Sequence, residues 1–125
     1  MTYNDLYFKF KSLFPNEEEW FKRKEEESFA DGSEESLIHV CFGLVVVPFI
    51  IKLLNDNNIE EIKKAFSFLE EMEKDTDSKV AEVVEFSVLE PLSDDPKILG
   101  KAKPYMGPGT REALHSMAWW LNIDA

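Results

Sequence analysis

The 125-residue chain has a single cysteine, Cys41. No intramolecular disulfide can form, so packing alone must hold the fold, as in proteins of a reducing compartment. Histidine is almost as scarce, with His39 and His115 only. His39 and Cys41 stand two positions apart, so on a helix they project about 200° from each other. They can neither share an ion nor act as nucleophile and base. Glu112 and His115 have the i, i+3 spacing of di-iron carboxylate bundles, but such a centre needs a second copy of the motif and two further Glu. The second copy is missing. The five glycines form no dinucleotide fingerprint, no phosphate-binding loop with its lysine and no nucleophile elbow. The longest apolar run, Val40 to Ile51, is shorter than the roughly 20 residues that span a bilayer. Residues 1–11 alternate polar and aromatic side chains and lack the pattern of a secretory signal. The last deficit is positive charge: 14 Lys and Arg against 25 Asp and Glu, a formal charge of −11. Nucleic acid and anionic membrane carry the same sign and are repelled. Lys22-Arg23-Lys24 is no basic patch, because glutamates flank it. These deficits predict a soluble cytoplasmic protein with no metal, no cofactor, no direct nucleic-acid contact and no membrane span.

What is present is a generous supply of core. The chain is 44% apolar, with ten Phe and three Trp, enough for one domain without staples. Tyr3, Leu6, Tyr7, Phe10, Leu13 and Phe14 recur at helical spacing and predict a helix over 3–14, with Thr2 as cap and Pro15 as stop. Asn16 and Glu19 resemble a capping box before a surface helix over 17–28 that carries Trp20 and Phe21. Ser33 is placed to cap a long segment over 34–54, apolar on nearly every side, which Pro48 should kink or split. A buried strand competes there, because Val45-Val46-Val47 favours β structure. Asn58 and Glu61 form another cap-like pair ahead of a strongly amphipathic helix to Lys74. Val80, Val83, Val84 and Val88 mark a fifth helix, with a strand again as rival, and Pro91 is read as its end. Asp95 before Pro96 starts a short helix carrying Ile98, Leu99 and Ala102. Thr110 is read as the opening of the last helix, with Leu114, Met117, Ala118 and Leu121 on one face. The expectation is one all-α domain over 1–125, with about seven helices in stacked antiparallel pairs. A short HEAT- or armadillo-like array and a compact bundle both fit, and no clear sequence period separates them.

Two local features invite chemistry. Gly107-Pro-Gly-Thr-Arg111 precedes a helix, and helix N-termini bind anions; a rigid turn plus an N-cap explains the same residues. Trp119 and Trp120 are adjacent on the last helix and cannot both face one core, which leaves one as a candidate anchor for a partner. The remaining signal is the acidic surface. Glu18, Glu19, Glu26, Asp31, Glu34, Glu70, Glu71, Asp75 and Asp95, with Trp120, are the candidate partner-binding residues. Part of that acid placement is simply favourable at helix N-termini.

The segments Val83-Val-Glu-Phe-Ser-Val-Leu-Glu-Pro-Leu and Tyr105-Met-Gly-Pro-Gly-Thr-Arg-Glu-Ala-Leu-His, with Phe42-Gly-Leu-Val-Val-Val-Pro-Phe, resemble a family of small helical bacterial proteins without assigned activity. The acidic helical character is also similar to immunity proteins of contact-dependent and polymorphic toxin systems. That second resemblance implies a chain that binds a cognate basic toxin, often a nuclease, and blocks it. An acidic face can occupy a site built to hold phosphates. The rival from another class is a small helical-repeat scaffold that binds a peptide or regulator. A third reading is an enzyme using the region of Glu112 and His115.

Overall fold

The computed structural model describes residues 1–29 and 37–123. The described residues contain helices and no strand. In chain order they are α1 (Leu6–Ser12), α2 (Glu18–Ser28), α3 (Ile38–Cys41), α4 (Val47–Asn55), α5 (Ile59–Glu73), α6 (Ser78–Val84), α7 (Glu90–Leu92), α8 (Pro96–Ala102) and α9 (Pro108–Leu121). A π-helical segment, Phe42–Val46, joins α3 to α4, and another, Glu85–Leu89, joins α6 to α7. These are therefore two long rods rather than four short helices. Both strand alternatives fall; the second rod ends at Leu92, one residue past Pro91, and the first runs on to Asn55, seven residues past Pro48.

The two prolines account for the π segments. A proline ring collides with the carbonyl four residues earlier and offers that carbonyl no N–H. Pro48 does this to Leu44, and Pro91 to Ser87. The helix answers by widening one turn. Val47 N–H donates to Phe42 O, and Glu90 N–H to Glu85 O, both five residues back. The rod therefore bends its hydrogen bonding without stopping. Each proline stands second in the α-helix that follows its π segment, and the step from 48 to 91 falls within the about 40–47 residues of a HEAT-like repeat. Cys41, Val45, Val46 and Phe49 are buried in the first copy; Val84, Val88, Leu89 and Leu92 are buried at the equivalent places in the second. The two π segments pack against each other, and His39 Nδ1 lies 2.6 Å from Ser87 Oγ between them.

The first rod extends past both ends of the apolar run Val40 to Ile51 and stops within one residue of the end of the segment read over 34–54. Ile38–Asn55 has 18 residues and a mean hydropathy of 2.1, long and apolar enough to cross a membrane by length and composition. Here most of its apolar side chains face protein, with Leu44 the exposed exception. α1 and α2 cover it: Phe10 lies 6.1 Å from both Phe42 and Phe49, and Phe21 lies 4.6 Å from Phe49, centroid to centroid. Each buried Phe contributes about 1.5–3 kcal/mol by leaving water. α5 packs against α4, α6 and α9, and α8 leans on α4. The arrangement is a bundle of packed helix pairs.

The local signals behave unevenly. Asp77 and Asp95 cap α6 and α8 by accepting from the N–H groups of Lys79 and Lys97. Thr2 and Asn58 precede their helices without a side-chain cap bond, and Glu17, not Asn16, is the cap residue of α2, also without one. The predicted cap Ser33 lies outside the described residues. α9 closes on Asn122, whose φ of 57° is left-handed, a conformation Asn accepts more readily than most residues.

Candidate functional site

The groups of most chemical interest line a cleft where α5, the second π segment and α9 meet. Glu73, Glu85, Gly109, Glu112, Ala113, Ser116 and Met117 form its walls. Three carboxylates converge there, and no cation pairs with any of them among the described residues.

The cleft depends on how α9 begins. Thr110 was expected to open this helix, but α9 starts at Pro108 and Thr110 sits buried inside its first turn. The cap comes from another helix. Glu70 of α5 accepts from Gly109 N–H at 2.7 Å, Thr110 N–H at 2.8 Å and Thr110 Oγ1 at 2.7 Å. Lys74 Nζ lies 3.3 Å from its other side. Burial pushes the Glu70 carboxyl up, but the Thr110 hydroxyl and N–H, the Gly109 N–H and Lys74 together outweigh it and hold the group below its usual range. The anion expected at this helix N-terminus is thus the chain's own. Arg111 takes no part, because its Nε donates to Met106 O. The glycines make the approach possible. A Cβ on residue 107 would stand 2.5 Å from Glu70 Cδ, and one on residue 109 would stand 2.9 Å from Glu70 Oε2.

Glu73 lies one turn further along α5, and its Oε2 is buried without a hydrogen-bond partner. Burial pushes its carboxyl up to about 9, with further contributions from the hydrogen bond and charge of Glu85 and the charges of Glu70 and Glu112. Near neutral pH Glu73 is therefore the protonated member of the cluster. The cleft then presents Glu85 and Glu112 beside a neutral acid.

Directly beyond the cleft is an aromatic surface. Phe86 follows Glu85, and its ring centroid lies 6.3 Å from that of Trp120. Trp119 is 83% exposed, Phe86 49% and Trp120 40%. Both tryptophans are therefore exposed, and Trp119, which the candidate residues omitted, is the more open of the two.

The predicted partner-binding residues do not form one face. Glu18, Glu19 and Glu26 are exposed on α2, and Glu71 is exposed on α5. Glu70 is engaged in the cap of α9, Asp95 in the cap of α8, and Asp75 in contacts with the Met1 amine at 3.0 Å and the Asp77 N–H. Asp31 and Glu34 lie outside the described residues. Glu73 and Glu85 were missed, and Glu112 was singled out only beside His115, because the three carboxylates sit on separate elements. The only trace they leave is an acid bordering an apolar stripe: Glu73 after Met72, and Glu85 between Val84 and Val88. Glu112 and His115 are both exposed on α9, and no group of three or more His, Cys, Asp or Glu is arranged to hold a metal among the described residues.

No curated protein and no solved structure matches the chain. A match to a domain family spans residues 7–122, from α1 to the cap of α9, and takes in the acidic cleft, the Glu70 cap and both π segments. On that match the chain belongs to the family described as a domain of unknown function, DUF7674.

Proposed function

We propose that this chain is a cytoplasmic immunity protein, a binding protein rather than an enzyme, which neutralises a cognate basic toxin such as a nuclease by docking an acidic surface on it. The observation that carries the reading is the set of carboxylates left without a cation among the described residues: Glu18, Glu19, Glu26 and Glu71 on the exterior and Glu73, Glu85 and Glu112 in the cleft. A chain of net charge −11 that leaves these acids unpaired attracts a basic protein and speeds its association. The test is a pull-down of the product of the adjoining gene at low and high salt, with survival of cells that express that product alone or together with this chain. Salt-sensitive capture together with protection supports the reading. A neighbour that neither binds nor poisons the cell removes it.

The two rods, each with a π segment just ahead of a proline, favour one alternative, a small helical-repeat scaffold for a peptide or regulator. Under that reading the neighbour binds and no protection is seen.

A further inference from the structure

Three of the four exposed aromatic side chains among the described residues, Phe86, Trp119 and Trp120, belong to one region. Soluble proteins seldom leave such a patch in water unless something covers it, and Trp is the residue most enriched among side chains that anchor partners. The patch runs on from the carboxylate cleft. Glu112 and Ser116 line the cleft, and Trp119 and Trp120 follow Glu112 by seven and eight residues, on the same side of α9. Across the groove, Glu85 lines the cleft and its neighbour Phe86 reaches Trp120. The carboxyl end of the α9 dipole adds partial negative charge at the aromatic end.

We infer that this face docks a cationic amphipathic segment of a partner protein, its Lys or Arg entering the cleft of Glu73, Glu85 and Glu112 and its apolar side chains covering Phe86, Trp119 and Trp120. The inference rests on the binding-protein reading above and deepens it by naming the contact face. Charge selects the occupant. Nucleic acid and anionic lipid are repelled by the carboxylates, and a second copy would set one carboxylate cleft near another across a two-fold axis. A cation entering the cleft meets carboxylates that no cation among the described residues pairs with, and one passing over Trp119 gains a cation–π contact as well.

The test titrates the full chain with a synthetic helical peptide of Lys and Leu, and with the same peptide carrying Glu in place of Lys. Binding is read by calorimetry at two salt concentrations. The Lys peptide binds and the Glu peptide does not. Phe86→Ala and Trp119→Ala each raise Kd by about tenfold. Glu85→Gln with Glu112→Gln weakens binding and lowers its salt dependence. Glu18→Gln, Glu19→Gln and Glu26→Gln together change Kd by less than about twofold. All these side chains are at least partly open to solvent, and circular dichroism of each variant verifies its fold; Trp119→Gln replaces any alanine variant that unfolds. A Kd unmoved by Phe86→Ala and Trp119→Ala, with strong loss in the α2 triple variant, overturns the face while leaving the binding-protein reading standing. Concentration-dependent dimerisation abolished by Trp119→Ala overturns it in favour of a second copy. If neither the Lys peptide nor the adjoining gene's product binds the native chain, both readings fall together.

Discussion

The Glu70 carboxylate rests on Thr110, accepting from both its N–H and its hydroxyl while also taking the N–H of Gly109. A side chain of α5 thereby caps α9, which makes the seam beside the acidic cleft a matter of three short charge-assisted bonds rather than packing alone. Glu70→Ala leaves those donors unpaired at a buried helix start and should destabilise the protein by about 1–3 kcal/mol. Glu70→Gln should lose less, because its amide oxygen still accepts. Urea unfolding of the two variants at neutral pH checks the ranking. Equal losses would mean that packing, not the cap, joins the helices.

Gly107 predicts a coupling. An alanine methyl at 107 would fall 2.5 Å from Glu70 Cδ, so Gly107→Ala must push the carboxylate off its donors. The expected loss is about 1–3 kcal/mol. In a Glu70→Ala background the three atoms nearest the new methyl are gone, and the same change should lose far less. The double-mutant cycle measures the difference directly, and additive losses would contradict the contact.

How much of this was legible in the sequence follows the range of the forces involved. Helical spacing in Tyr3 to Phe14 and in Ile62 to Met72 identified buried faces correctly, because burial acts on every turn. Asp95-Pro96 located α8 for a similarly local reason. Pro48 reads as a kink or split and Pro91 as an end; the second rod does stop at Leu92, but neither proline announces the turn of five-residue bonds that precedes it. The acidic surface was visible only as composition. Glu70 looked like a free surface acid because its partners, Gly109 and Thr110, lie on another helix, and Glu73, Glu85 and Glu112 gather only through tertiary packing.

The second π segment yields a prediction against propensity. Replacing an exposed helical Pro by Ala should add about 3 kcal/mol. At Pro91 the widened turn already fits the core: Val88, Leu89 and Leu92 are buried in their present register, and Ser87 meets His39. Pro91→Ala should therefore shift stability by no more than about 1 kcal/mol. A gain near the full propensity difference in thermal unfolding would show that the rod relaxes to a plain α-helix and that the π register is not held by packing.

Glu73 gives the protein a pH dependence of defined sign. Its carboxyl titrates at 4.5 in the unfolded chain and about 9 in the folded one. Between those values the folded state holds a proton that the unfolded state has released, so stability falls as pH rises through this window. The contribution is fully present below about 4.5 and gone above about 9. Glu73→Gln removes the titration and keeps an N–H donor for Glu85. Because the group is partly open to solvent, its effect is discounted to roughly 1 kcal/mol between pH 5 and pH 8.5. The variant should match the native chain at pH 5 and exceed it at pH 8.5. Glu70→Gln acts on the same group from outside, since removing its charge should bring the Glu73 titration down. Urea unfolding across pH 5 to 8.5 separates the cases: parallel curves for native protein and Glu73→Gln would mean that Glu73 is ionised in the fold and adds its charge to the cleft.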